Sequence, residues 1–121
     1  VLTGGTEADV FVFVSTTDSG ITAAKRDVIT DFTDGADLID LSFIDAKTTV
    51  AGNDAFTYIN VDSSVTSTAM FTGVAGELRS YWTATGQIIE ADINGDKKAD
   101  FSIALVDPTH AIVLDAGDFF L

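Results

Sequence analysis

Residues 2–11 read Leu2-Thr3-Gly4-Gly5-Thr6-Glu7-Ala8-Asp9-Val10-Phe11, and their order decides the fold. Adjacent glycines let a backbone turn through conformations closed to other residues, so Gly4 and Gly5 mark a tight loop. Carbonyl oxygens converge in such a loop, and Asp9 adds a charged oxygen beside them. Residues 10–14 then run Val-Phe-Val-Phe-Val. With no polar face, that run reads as a strand buried on both sides. The unit is a glycine turn that opens straight into a short strand.

The same grammar continues outward. Residues 27–42 hold five aspartates within fourteen positions, Asp27, Asp31, Asp34, Asp37 and Asp40, set between short apolar runs. On a strand Asp27, Ile29 and Asp31 share a face, and two carboxylates on one side repel unless a cation lies between them. Asp34 and Asp37, in Thr33-Asp34-Gly35-Ala36-Asp37, read instead as turn-capping residues on a solvated edge. Residues 55–61, 77–83, 87–93 and 99–106 are further strands, the second and third joined by Ala84-Thr85-Gly86. Asn94-Gly95 predicts a two-residue hairpin turn between the last two. The same stretch sets Asp92, Asn94, Asp96 and Asp100 at positions one, three, five and nine of an EF-hand-type loop. Lys97 stands where that loop wants glycine and Ile103 where it wants a bidentate acid, so the hairpin is the preferred reading. Helix is confined to single turns at 41–46 and 115–118, and 62–70 reads as a polar loop. The expectation is an all-β single domain over residues 1–121.

Charge sets the partners. Against 6 Lys+Arg stand 19 Asp+Glu, nearly all Asp, for a formal net charge of -13. Phosphate recognition needs clustered cations, so nucleic acid and anionic membrane are excluded as partners, and hard divalent cations such as Ca2+ are favoured. There is no cysteine, which removes disulfides and thiolate chemistry, and no apolar run reaches transmembrane length. Catalysis has little to work with: His110 is the sole histidine, H-E-x-x-H is absent, and nothing singles out an acid and a base among so many carboxylates. Arg79, Tyr81 and Trp82 could face a sugar, yet Tyr81 and Trp82 point to opposite faces of a strand, which puts one of them in the core.

The last four residues, Asp118-Phe119-Phe120-Leu121, set one carboxylate before three bulky apolar side chains. They read either as a last strand tucked into the core or as a C-terminal export address. The opening Val1-Leu2-Thr3 has no initiator Met, so the expectation is a piece of a longer protein that ends at Leu121.

Taken together, the Gly4-Gly5…Asp9-Val10-Phe11 turn, the Asp27 to Ser42 run, Ala55-Phe56-Thr57-Tyr58-Ile59, Phe71-Thr72-Gly73-Val74-Ala75-Gly76-Glu77-Leu78-Arg79, Asp92-Ile93-Asn94-Gly95-Asp96 and the closing Asp118-Phe119-Phe120-Leu121 resemble the C-terminal domain of serralysin-type secreted metalloproteases, a branch of the RTX proteins. The glycine turn follows their nonapeptide G-G-x-G-x-D-x-U-x, with Glu7 in place of its third glycine. The resemblance implies the last turns of a calcium-binding parallel β-roll leading into an antiparallel β-sandwich cap. It implies calcium held by Gly4, Gly5 and Asp9, with Asp27 and Asp31 next, and no catalysis, the zinc protease domain and further repeats lying upstream. It also implies a secreted, extracellular protein exported by a type I secretion apparatus that reads Asp118, Phe119, Phe120 and Leu121. The rival reading is a carbohydrate-binding or protein-docking module of a secreted polysaccharide-active enzyme.

Overall fold

Short runs rich in β-branched and aromatic residues give eight strands and one 3-10 turn in the computed structural model, which describes residues 1–60 and 70–121. They are β1 (Val10–Val12), β2 (Asp27–Ile29), β3 (Leu38–Asp40), β4 (Thr57–Tyr58), β5 (Glu77–Thr83), β6 (Gly86–Asp92), β7 (Phe101–Val106) and β8 (Phe119–Phe120), with the 3-10 turn at Ala116–Asp118. Two sheets form. The smaller has the order β1-β3-β8 and the larger β2-β7-β6-β5-β4.

The first forty residues wind between these sheets as a coil. Leu2 bridges Ile29 in parallel beside the larger sheet, β1 enters the smaller sheet, β2 returns to the larger, and β3 lies parallel to β1 with Val10 opposite Leu38. Contacts between successive coils span 27 residues at Thr3 and Thr30 and 28 at Asp9 and Asp37. That register exposes an internal repeat: Leu2-Thr3…Ala8-Asp9-Val10-Phe11 stacks on Ile29-Thr30…Ala36-Asp37-Leu38-Ile39. Only a two-coil roll with parallel pairing brings these stretches together.

The antiparallel layer follows. β5, β6 and β7 form a meander in which Ser80 faces Ile89 and Ile89 faces Ile103; β4 joins β5 in parallel and β2 joins β7 in parallel. Inward residues of both sheets make one core that includes Phe11, Phe13, Ile39 and Phe119 from the small sheet side and Ile29, Leu78, Ile89 and Ile103 from the large one. The rings of Phe13 and Phe101 meet edge to face at 5.5 Å across the gap, a favoured geometry for aromatic pairs. Burying a side chain of this size stabilises by roughly 1.5–3 kcal/mol. The return segment of the first coil is tied to the layer: the Ser19 hydroxyl donates to the Ser102 carbonyl and accepts the Asp27 amide.

Several expectations are corrected. Residues 10–14 are not buried on both sides: Phe11 and Phe13 face the core, whereas Val10, Val12 and Val14 are 49%, 51% and 59% exposed, because nothing covers the outer face of the small sheet among the described residues. The strand expected over 55–61 is reduced to Thr57–Tyr58, and Val61 lies outside the described residues. So does the loop expected at 62–70, apart from Met70. The chain does pass from β6 to β7, but not through a two-residue hairpin. Ala91 pairs with Phe101, leaving eight residues between the strands. The buried Asp92 carboxylate accepts the Asn94, Gly95 and Lys97 amides at 3.1, 2.7 and 2.8 Å, which winds the segment into a wide loop.

Candidate functional site

The glycine turn is shaped by the coil beneath it. Asp31, just past β2, accepts the Gly4 amide on one oxygen at 3.0 Å and the Gly5 amide on the other at 2.9 Å. Gly5 has φ +122, open to glycine but strained for other residues. Glu7, in the place of the third glycine, keeps an ordinary backbone: Lys97 and His110 are the non-glycine residues with positive φ among those described. The departure from the nonapeptide therefore carries no left-handed strain. One step on, Asp37 repeats the device, accepting the Asp9 amide at 2.9 Å and the Thr33 amide at 2.8 Å. It caps its turn as expected but is buried rather than solvated, because the coil above covers it.

Asp9 is the exception. Its Oδ2 is buried without a hydrogen-bond partner, and it lies so close over Gly4 that a Cβ on that residue would stand 2.5 Å away. Gly4 is thus a position that only glycine leaves open, under a buried oxygen that accepts no hydrogen bond from the chain. A buried carboxylate oxygen left alone is costly.

These facts test the fit to calcium, which takes six to eight oxygen ligands. Gly4, Gly5, Asp9 and Asp31 are brought together; Asp27 opens β2, with its N–H donated to the Ser19 hydroxyl. Asp31 turns both oxygens to N–H groups, which suits it to holding the turn. Among the described residues no group of three or more His, Cys, Asp or Glu side chains is placed to hold a metal ion. What the turn offers a cation is one buried carboxylate oxygen, that of Asp9, over the Gly4 backbone.

The Asp92 to Asp100 loop is ordered by its own side chains. Asp100 accepts the Ile93 amide and both its oxygens meet the Asn94 side-chain amide, while Asn94 and Asp96 each cap the amide two residues on. Burial raises the Asp100 pKa, opposed by the Ile93 amide and helped by the nearby charges of Asp92 and Asp96. Lys97 takes φ 68, the turn that glycine provides in an EF-hand-type loop.

The tail is docked. Ile39 pairs with Phe119 and Asp40 with Phe120, and the Leu41 amide donates to the Phe120 carbonyl at 2.9 Å. Phe119 is 6% exposed and packs its ring 5.2 Å from that of Tyr58; Phe120 points outward at 49%. Asp115 and Asp118 form a reciprocal cap on the 3-10 turn. Burial pushes the Asp118 pKa up, Asp34 and Asp115 push the same way, and hydrogen bonds to backbone at Asp115 and Gly35 oppose them.

On the opposite end, Arg79 pairs with Glu90 at 2.7 Å and lies over the Phe71 ring at 4.3 Å, and the Tyr81 hydroxyl donates to Glu90 at 3.2 Å. Trp82 meets the His110 ring edge-on at 4.6 Å. Tyr81 and Trp82 are both half-buried, so neither is the core residue expected. His110 is exposed in its loop, as expected.

Two parallel coils with acidic turns, feeding an antiparallel layer while the last strand returns to the small sheet of the coils, define a β-roll module. The Peptidase M10 serralysin C terminal family model matches residues 1–115, and the chain belongs to that family. It is therefore the C-terminal part of a serralysin-type protein and not the catalytic domain. The match stops short of Asp118 to Leu121. No curated protein matches the chain. No helix among the described residues is long and apolar enough to cross a membrane.

Proposed function

We propose that this chain is a non-catalytic, calcium-binding module that carries the export address of a secreted hydrolase, a serralysin-like zinc metalloprotease, and helps it fold outside the cell. The observation that carries the reading is the buried, unpartnered Asp9 Oδ2 above the Gly4-Gly5 turn. Calcium would supply the positive charge that this oxygen lacks. Asp9 is its ligand, Gly4 keeps the space clear, Gly5 supplies the positive-φ turn, and Asp31 positions both through their amides.

A net charge of -13 supports a folding switch. Where calcium is scarce, self-repulsion weakens the compact state; extracellular modules bind calcium at about 10⁻⁴–10⁻³ M, and binding then favours the native state. The tail serves both readings of its sequence, as an address while the chain is unfolded and as strand β8 afterwards, with a type I secretion apparatus as its reader. The test is export of a passenger fused ahead of Val1 in cells with such an apparatus. Deleting residues 118–121 should abolish export; undiminished export of the deleted form refutes the address.

A further inference from the structure

Asp9 precedes β1 and Val14 follows it. At the Val14 end, where the chain leaves β1, β3 and β6, a cleft of about 210 Å³ opens. Val14, Phe43, Ile44 and Ile93 wall it, and Val14 and Phe43 are 59% and 61% exposed. Two of its polar side chains, Asp45 and Thr48, offer acceptors and no donor. The Thr48 hydroxyl donates its one proton to the Ile93 carbonyl at 3.0 Å, which leaves only lone pairs. Asp45 accepts the Lys47 and Asp54 amides on Oδ1 at 3.1 and 3.2 Å, while its Oδ2 accepts no hydrogen bond from the described residues. No Lys or Arg among those residues forms an ion pair with Asp45: Arg79 is held by Glu90. Lys47, two positions on, runs its stem along Gly76 instead, where a Cβ would stand 3.1 Å from the Lys47 Cγ.

We infer that this cleft is an interaction surface for an arginine side chain presented by an exposed segment of a partner protein. Its volume falls below the roughly 300 Å³ at which pockets for drug-sized ligands begin, so it suits one long side chain. Arginine matches the lining part by part. The aliphatic stem lies against Val14 and Ile93, the planar guanidinium stacks on the open Phe43 ring, and the N–H fork supplies the donors that Asp45 and Thr48 lack. Charge selects the same occupant. A net charge of -13 draws a cation to the cleft and repels an acidic segment. A neutral sugar would leave the Asp45 charge uncompensated, and a hard metal ion wants six to eight oxygens, which the apolar walls deny. Lysine has the charge without the plane that stacks on a ring.

The test titrates the 121-residue chain with an acetylated, amidated Gly-Arg-Gly peptide and follows backbone amide shifts by NMR. Chelator is present throughout, which keeps the result independent of calcium at the Asp9 turn. The amides of Val14, Asp45, Thr48 and Ile93 should shift and saturate, and a Gly-Glu-Gly peptide should leave them still. Asp45→Asn should weaken binding by about tenfold or more, and Phe43→Ala by about two- to fivefold. Both variants keep the fold, since asparagine retains an oxygen for the Lys47 and Asp54 amides and Phe43 is exposed. Absence of saturable shifts at the cleft with millimolar Gly-Arg-Gly overturns the inference. So does binding undiminished in both variants, or glucose moving the same amides where the arginine peptide does not.

Discussion

Phe119→Ala separates a docked tail from a loose one. Phe119 is 6% exposed, pairs with Ile39 and stacks on Tyr58, whereas its neighbour Phe120 is 49% exposed on the other side of the same strand. Emptying a buried Phe site costs about 3–5 kcal/mol. A two-residue terminal strand can relax around the loss, so the lower end, about 3 kcal/mol, is the expected figure. Unfolding entropy near 2.1 cal/mol/K per residue over 121 residues makes each kcal/mol worth about 4 °C. Phe119→Ala should therefore lower the melting temperature by about 12 °C, and Phe120→Ala by no more than about 4 °C. Thermal melts followed by circular dichroism measure both, and carboxypeptidase digestion at 25 °C should release the tail faster in Phe119→Ala alone. Equal, small effects of the two substitutions would refute the docking.

Asp31→Ala leaves the Gly4 and Gly5 amides without acceptors and should cost about 1–3 kcal/mol, read by urea denaturation; Asp31→Asn, which keeps one acceptor oxygen, should lose less. Gly86→Ala should fail to fold or lose more than about 3 kcal/mol, because its Cβ would stand 1.9 Å from the Leu105 carbonyl at φ +147; a stable, soluble variant would contradict the close approach. Asp118 gives a pH signature. Its folded pKa is raised, by burial first and by Asp34 and Asp115 next, so the native state holds the proton more tightly than the unfolded chain. Its contribution to stability grows as pH falls through the folded value and is complete below the unfolded value near 3.9. Asp118→Asn should lack that gain; parallel stability curves for the two proteins between pH 7 and 4 would exclude it.

Elements fixed by local chemistry were legible. The strand at 77–83, the turn that follows it and the single helical turn at 115–118 lie where the residues put them, since each depends on neighbours in sequence. The internal repeat was hidden because Gly4-Gly5 aligns with Asp31-Phe32 and the second coil carries one extra residue, which leaves few identities. The work of Asp31 was hidden for another reason: an aspartate looks the same in sequence whether its oxygens meet a cation or an amide. Asn94-Gly95 misled because Asp92 draws three amides inward and overrides the turn preference of the pair. The exposed Val10, Val12 and Val14 could not be told from buried ones, as valine on an open sheet face has the same pattern as valine in a core.

Thermal unfolding in chelator and in about 10 mM calcium, for the chain and for Asp9→Asn, bears most directly on the proposed role. With a dissociation constant near 1 mM, binding adds about 1.4 kcal/mol, or a rise of about 5 °C. The chain should show that rise, Asp9→Asn should lose most of it, and magnesium should not reproduce it. Melting temperatures that are the same in chelator and calcium, or an undiminished rise in Asp9→Asn, would contradict the assignment of calcium to this turn.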